Sequence, residues 1–362
     1  MNSLRTVLRS FFALQFLPAL EAASEETLIG GQAVLEGVMM RSPHAWGIAV
    51  RKATGDIATH CEPLQRPSEK RRWLAWPFVR GLVTLGQAMS LGFRALKFSA
   101  NVLLDGMSQA PEKKNSDVAA AAEEKPRKPQ EKPEKMPELS GWVLVLNMVI
   151  SIGFFIVMYK VVPLMAATEL TKSWHAMGNN IVFSLVDGVI RLALFLLFIW
   201  GISLFADIRR VYEYHGAEHK TVFAYEAQRD IPTVKFTQQF STYHPRCGTS
   251  FLMTVMLISI VVYALLPVTG SSGSHNIFDR VFWYRLAIRV LFLPVIASVS
   301  YEMIRFSAKH GRSLFALLTK PGLWMQRITT KQPKDDQVEC AIKALDEAMN
   351  LEKIHGGELV IA

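Results

Sequence analysis

Apolar and polar positions are distributed along this chain in three distinct patterns. From Leu28 to about residue 66 the pattern alternates. Trp46-Gly-Ile-Ala-Val-Arg-Lys leads to a turn at Ala53-Thr-Gly55-Asp56, and Ile57-Ala-Thr-His60-Cys61 follows. Alternation on both sides of a Gly-containing turn predicts a β-hairpin. A Gly-bounded strand around Gly30–Arg41 would complete a small sheet of roughly three strands, the minimum for independent stability. The second pattern is four long apolar blocks near 141–167, 181–205, 250–268 and 281–306. Each approaches or exceeds the ~20 residues that cross a hydrocarbon core. The third pattern is amphipathic. A helix at 70–105 carries Arg80, Gln87, Arg94 and Lys97, and its uncharged run between Arg80 and Arg94 is too short to span, so it should lie in the membrane interface or pack on the transmembrane bundle. Lys70, Arg71 and Arg72 beside Trp73 and Trp76 suit the headgroup boundary there.

The remaining segments connect or flank these. Residues 106–139, with Pro111, Pro126, Pro129, Pro133 and Pro137 among Glu and Lys, read as a disordered linker. Residues 1–27 imitate a secretory signal through Arg5, Arg9 and the run from Phe11. Gln15 and Pro18 interrupt that run, and an amphipathic helix on the membrane surface fits better. In the 307–362 tail, Asp335 or Asp336 can cap a helix in which Val338, Ala341, Ile342 and Leu345 recur at helical spacing. Its apolar face should pack on the rest of the chain, on a protein partner or in a homo-oligomer. The expected fold is therefore mainly α: a multi-pass, four-transmembrane-helix bundle (140–306) with a small N-terminal β element (28–66) and cytoplasmic helices.

Charge orients this arrangement. The chain has 362 residues, half of them hydrophobic, and a formal net charge of +9. In a soluble protein that balance suggests nucleic acid, but here the cations flank the apolar blocks. Topology and contact with anionic lipid headgroups account for them, and no nucleic-acid partner is expected. The 207–249 loop holds Arg209, Arg210, Lys220, Arg229, Lys235 and Arg246, whereas the 168–180 and 269–280 loops carry only Lys172 and Arg280. The positive-inside rule then places both termini and the 207–249 loop in the cytoplasm, with the protein in the inner (plasma) membrane. Cys61, Cys247 and Cys340 lie too far apart to suggest a disulfide framework.

The candidate chemistry concentrates in that loop. In a helix, His215, Glu218 and His219 share one face. H-x-x-E-H is the inverted zincin pattern, in which two imidazoles hold a metal and the glutamate serves as base. His244 and Cys247 add two ligands in a turn. Four ligands would make a closed, structural site for zinc or another divalent metal; three would leave a catalytic position open, with Glu218 activating water. Histidines bonded to headgroups or backbone are the plain alternative. Gly216 costs the helix about 1 kcal/mol relative to Ala, which a close backbone approach would explain. Glu302, near the same end of the bundle, could complete a metal shell or bond an arginine. Inside the apolar blocks, Asp187 and Arg191, like Arg285 and Arg289, lie one turn apart. Asp187 should pair with Arg289 or Arg285, as a packing ion pair or along a transport path.

Four blocks also carry a resemblance: Gly30-Gly-Gln-Ala-Val-Leu-Glu-Gly-Val-Met-Met-Arg-Ser-Pro43, Tyr214-His-Gly-Ala-Glu-His-Lys-Thr221, His244-Pro-Arg-Cys-Gly-Thr-Ser-Phe251 and Pro321-Gly-Leu-Trp-Met-Gln-Arg-Ile-Thr-Thr330. They closely resemble the YqhQ-like family, bacterial membrane proteins with plastid relatives, built on a domain of unknown function. The resemblance runs from Leu28 to about Leu351, outside the linker. It implies a metal-dependent enzyme without specifying a reaction, and it implies that the four blocks meet at one site, which would recruit Glu36 and Arg41. The leading expectation is a cytoplasm-facing membrane metalloenzyme, a hydrolase. The alternatives are a non-catalytic scaffold or assembly factor with a structural metal, and a small transporter.

Overall fold

A computed structural model describes residues 29–65, 71–108, 141–173, 179–245, 247–266, 280–309 and 314–355. The expected surface helix at 1–27 and nearly all of the expected 106–139 linker lie outside the described residues.

The alternating segment forms four strands, one more than expected: β1 (Gly30–Val34), β2 (Gly37–Arg41), β3 (Ala45–Arg51) and β4 (Ile57–Pro63). They make an antiparallel meander in sequence order. The extra strand arises because the Gly30–Arg41 stretch folds back on itself. The chain reverses at Glu36, whose backbone is left-handed (φ 54°), and Gly30 pairs with Arg41.

The central strand β3 shows how sequence alternation sets the layers. Its large residues Trp46, Ile48 and Val50 face helix α1 (Val79–Ser108) and pack with Leu91 and Ala95. On the opposite face Ala49 belongs to a second core with Val338, Ala341, Leu345 and Met349 of the C-terminal helix. A methyl group on Gly47 would stand 2.7 Å from the Ala344 carbonyl oxygen, so small residues on this face let the C-terminal helix lie directly on the sheet. A three-layer α/β/α unit results, with each sheet face covered. Its far end is fastened by buried Glu352, which accepts from Ser42 Oγ (2.6 Å) and the His44 backbone N–H (2.7 Å) and meets His44 Nδ1 at 2.8 Å.

The apolar blocks form the second unit. The first is helix α2 (Gly141–Ile156), a π-helical turn (Val157–Val161) and helix α3 (Val162–Ser173), and the second is α4 (Asn180–Ile202). Helix α5 (Ala206–Gln228) and the short α6 (Val234–Thr237) lead to α7 (Gly248–Leu265). Next come α8 (Arg280–Leu291), α9 (Leu293–Lys309) and α10 (Leu314–Thr329), and the chain closes in α11 (Asp335–His355), the helix on the sheet. Among the described residues four helical stretches are long and apolar enough to cross a membrane: Val149–Leu170, Ile181–Ile202, Gly248–Leu265 and Phe282–Phe306. Their outward faces are apolar, as at Val149, Val189, Leu197, Val261 and Leu291, all exposed. The third begins two residues before the expected block because the Cys247 sulfur caps it, accepting from the Thr249 N–H at 3.4 Å.

An ion pair helps to join the two units. The Arg80 guanidinium of α1 holds Glu302 of α9, with Nε donating to Oε1 at 2.7 Å. Helix α10, expected in the tail, instead packs along the bundle, where Met325 is buried with Phe195 and Met253.

Candidate metal centre

Helix α5 runs between the sheet unit and the bundle, and two of its side-chain rows do different work. The row Arg210, Tyr214, Glu218 turns toward β1 and β2. The Arg210 guanidinium pairs with Glu36, the Tyr214 hydroxyl donates to the same carboxylate at 3.4 Å, and Glu218 accepts from the Gly31 backbone N–H. The adjoining row, His215, His219 and Phe223, turns toward the segment that enters α7. The His215 and His219 rings lie 4.4 Å apart, centroid to centroid, and Phe223 packs on His244 at 4.5 Å.

Helical geometry permits both rows because residues four apart are neighbours on the surface. A close approach adds to this at Gly216. Its missing Cβ would fall 2.0 Å from the Lys331 carbonyl oxygen, and the Lys331 N–H donates to Tyr212 O at 2.9 Å. The segment leaving α10 is thereby pressed against α5, and it brings the Thr329 carbonyl to His215.

The imidazoles are fixed through their Nδ1 atoms. His215 Nδ1 lies 2.8 Å from Thr329 O, and His219 Nδ1 lies 2.5 Å from Thr242 O. A carbonyl oxygen only accepts, so each Nδ1 carries a proton and Nε2 is the ring nitrogen left to ligate. Both Nε2 atoms then share their surroundings with Cys247. His215 Nε2 is 3.2 Å from Cys247 Sγ, and the ligand atoms of His215, His219 and Cys247 all fall within 4.8 Å of one another. Among the described residues His219 Nε2 is buried with no hydrogen-bond partner apart from the Cys247 thiol beside it. Two imidazole Nε2 atoms and one cysteine sulfur that converge are a donor set suited to zinc.

His244 stands at the edge of this group. Its ring centroid is 5.6 Å from that of His219, and its Nε2 is 4.0 Å from Glu226 Oε2. Gln326 of α10 clamps its backbone: Oε1 accepts from the His244 N–H and Nε2 donates to the His244 carbonyl, both at 2.8 Å. The same Nε2 donates to Ser250 Oγ at 2.7 Å.

Burial governs the electrostatics. It raises the Glu218 carboxyl above the usual range, against the pull of His215, His244 and the Gly31 N–H. It lowers the His219 imidazole, with Cys247 opposing, and lowers His244, with Glu218 opposing. The site thus favours neutral imidazoles, the form that ligates.

The structure brings His215, His219 and Cys247 together, with His244 at the edge; Glu218 feels the charge of His215 and His244 but is turned to the Gly31 backbone on the sheet side. Glu36 lies on the sheet side of α5, bound to Arg210, and Arg41 ends β2, paired across the sheet with Trp46. Glu302 is engaged by Arg80 and by the Phe78 N–H (3.3 Å). Asp187 Oδ2 takes Arg289 Nη1 at 2.6 Å and also pairs with Arg191, while the Arg285 guanidinium lies over the Phe183 ring, 5.9 Å from its centroid. Sequence reasoning misses Gln326 and the Thr242 and Thr329 carbonyls. Gln326 and Thr329 fall inside the Pro321–Thr330 block, but a lone glutamine and a main-chain oxygen leave no spacing signature.

The family profile described as "Protein of unknown function (DUF1385)" matches residues 76–351. The chain is also 32% identical over 328 residues to the Bacillus subtilis (strain 168) protein named "Uncharacterized protein YqhQ", covering 90% of this chain and 93% of that relative. No solved structure matches the chain.

Proposed function

The chain belongs to the DUF1385 (YqhQ-like) family, and on that premise we propose that it is an integral membrane metalloenzyme of hydrolytic type. In this reading His215, His219 and Cys247 hold zinc or another divalent ion, and Glu218 is the general base. The charge bias of the loops supports a cytoplasm-facing site, with both termini on that side of the inner membrane. Anionic headgroups then surround the site.

One observation carries the proposal. Both imidazoles spend Nδ1 on a backbone carbonyl and present Nε2 beside Cys247 Sγ, so that among the described residues the buried His219 Nε2 has no partner but that sulfur. Ring orientation by such bonds is how metal-binding histidines are held ready. A divalent ion there supplies Lewis acidity and makes water a nucleophile near neutral pH. Three protein ligands leave room for that water. The chain's own residues do the rest. Glu218, whose burial makes it a stronger proton acceptor than an exposed glutamate, would turn from the Gly31 N–H to take the proton of that water and would later return it to the leaving group. Gln326 holds the His244 backbone, and with it the segment that carries Cys247.

A second reading rests on the His244 ring, 5.6 Å from that of His219. If His244 turned inward as a fourth ligand, the metal would be a staple in a scaffold protein. Metal content of the full-length protein by mass spectrometry, with His219→Ala, Glu218→Gln and His244→Ala, separates the two. The enzyme reading expects about one metal per chain in wild type and Glu218→Gln, and loss in His219→Ala. It also expects Glu218→Gln to fail in complementing a deletion strain. Full complementation by Glu218→Gln would overturn it, and metal loss in His244→Ala would favour the staple.

A further inference from the structure

A second polar cluster lies deep in the bundle, about 18–24 Å along α7 from Cys247. Its members come from four apolar helical stretches: Lys160, Asp187 with Arg191, Ser259 with Tyr263, and Arg289. Arg289 is fully buried, and Asp187, Arg191 and Lys160 are 1%, 3% and 8% exposed. Three cations gather round one ring. Lys160 Nζ, Arg191 Cζ and Arg289 Cζ stand 5.1, 5.3 and 5.2 Å from the Tyr263 centroid. The Tyr263 hydroxyl donates to Arg289 O at 2.7 Å and accepts from Lys160 Nζ at 3.1 Å.

The charges do not balance. Asp187 Oδ2 serves both Arg289 and Arg191, and Arg191 Nη1 donates to Ser259 Oγ at 2.9 Å. Among the described residues Arg191 Nε and Arg289 Nε and Nη2 are buried with no hydrogen-bond acceptor, and Asp187 Oδ1 is buried with no donor. Guanidinium groups do not shed their protons in proteins. One carboxylate therefore faces two permanent cations and a lysine, an excess of positive charge among helices whose outer faces are apolar. Buried donors and unpaired charge of this kind are strongly unfavourable unless an anion meets them. Lys160 adds an independent sign, since it sits in the π-helical turn Val157–Val161. Such turns occur mostly as single-turn insertions, frequently at functional sites.

We propose that this cluster binds a phosphate group between the helices, through Arg191, Arg289 and Lys160. The planar fork of arginine matches a phosphate oxyanion, and an anion of one or two charges offsets the excess. The phosphate is either that of an anionic phospholipid, its chains lying along the apolar helix faces, or free inorganic phosphate. The site is separate from the His/Cys centre and holds whether or not that centre binds metal.

Thermal unfolding of the full-length protein in neutral detergent tests this. One arm compares inorganic phosphate with chloride at equal ionic strength. The other compares phosphatidylcholine vesicles with and without phosphatidylglycerol. The expected result is a Tm rise of roughly 3 °C or more in at least one arm, and the arm that responds identifies the source. Lys160→Met and Arg191→Gln should each remove more than roughly half of that rise, with helicity checked by circular dichroism; should Arg191→Gln not fold, Lys160→Met decides. No rise for wild type in either arm, or a full rise kept by the folded variants, would overturn the site.

Discussion

Cys340 shows what burial does to one titratable atom. Its Sγ–H donates to the Ala49 carbonyl at 3.2 Å, inside the core between α11 and β3. Burial pushes the thiol from 9.0 up to about 12. Tyr214, in the same core, is shifted the same way by burial and by the Glu36 carboxylate. The sign follows from linkage: between pH 9 and 12 the folded state keeps a proton that the unfolded chain has lost. Stability is therefore fully present below pH 9 and falls as pH rises, by at most about 1.4 kcal/mol per unit for the one group. Cys340→Ala should flatten that alkaline loss while costing about 1 kcal/mol at neutral pH through lost contacts. Denaturant titrations from pH 7 to 10.5 measure both. Equal alkaline slopes in wild type and variant would remove Cys340 from the account. The thiol should also resist alkylation in the folded protein, because the thiolate is the nucleophile.

At the scale of an element, α5 is shaped by Gly216. On propensity alone Gly216→Ala should stabilise the helix by about 1 kcal/mol. The Lys331 carbonyl 2.0 Å from the new Cβ reverses that expectation. The outcome should be a net loss of about 1–3 kcal/mol from overpacking. Retreat of Lys331 also withdraws the Thr329 carbonyl from His215, so if the centre binds metal as proposed, metal content should fall with stability. Unchanged metal binding with a raised Tm would show that the segment yields freely. This glycine also marks what could be read from sequence. A helix breaker in the middle of H-x-x-E-H pointed to a backbone neighbour, but could not say that it was Lys331. Apolar blocks announced the long helices, and the alternation at 45–51 announced β3. The reversal at Glu36 was hidden, because a non-glycine residue with positive φ has no strong sequence sign. Glu302 had two physically equal uses, and only the packing of α1 on α9 selects Arg80.

Across the whole molecule, the His/Cys centre is where the sheet unit and the bundle are tied together. Its side chains come from α5 and the start of α7, and its orienting carbonyls from the 242 loop and the end of α10. They come from three separate stretches of sequence, 215–219, 242–247 and 329, so pattern reading assembled the ligand types but not the frame around them. Asp187 and Arg289 were easier, since similar depth in two apolar blocks made an ion pair the economical arrangement, and they stand 2.6 Å apart. If a metal joins α5 to α7, its removal should loosen the joint without melting either unit. Metal at about 100 times its Kd would contribute about 2.7 kcal/mol, all of it lost on chelation. The 229–243 segment between the two helices, whose far end carries the Thr242 carbonyl that orients His219, would then open first. Arg229 and Lys235 are exposed there. Chelator-treated protein should be cut by trypsin at these two sites at least tenfold faster, roughly the change a local loss of 1.4 kcal/mol gives. Added zinc should restore resistance in wild type but not in His219→Ala. Cleavage rates indifferent to chelator and zinc would mean that hydrogen bonds alone close the joint, with no ion between the imidazoles and the sulfur.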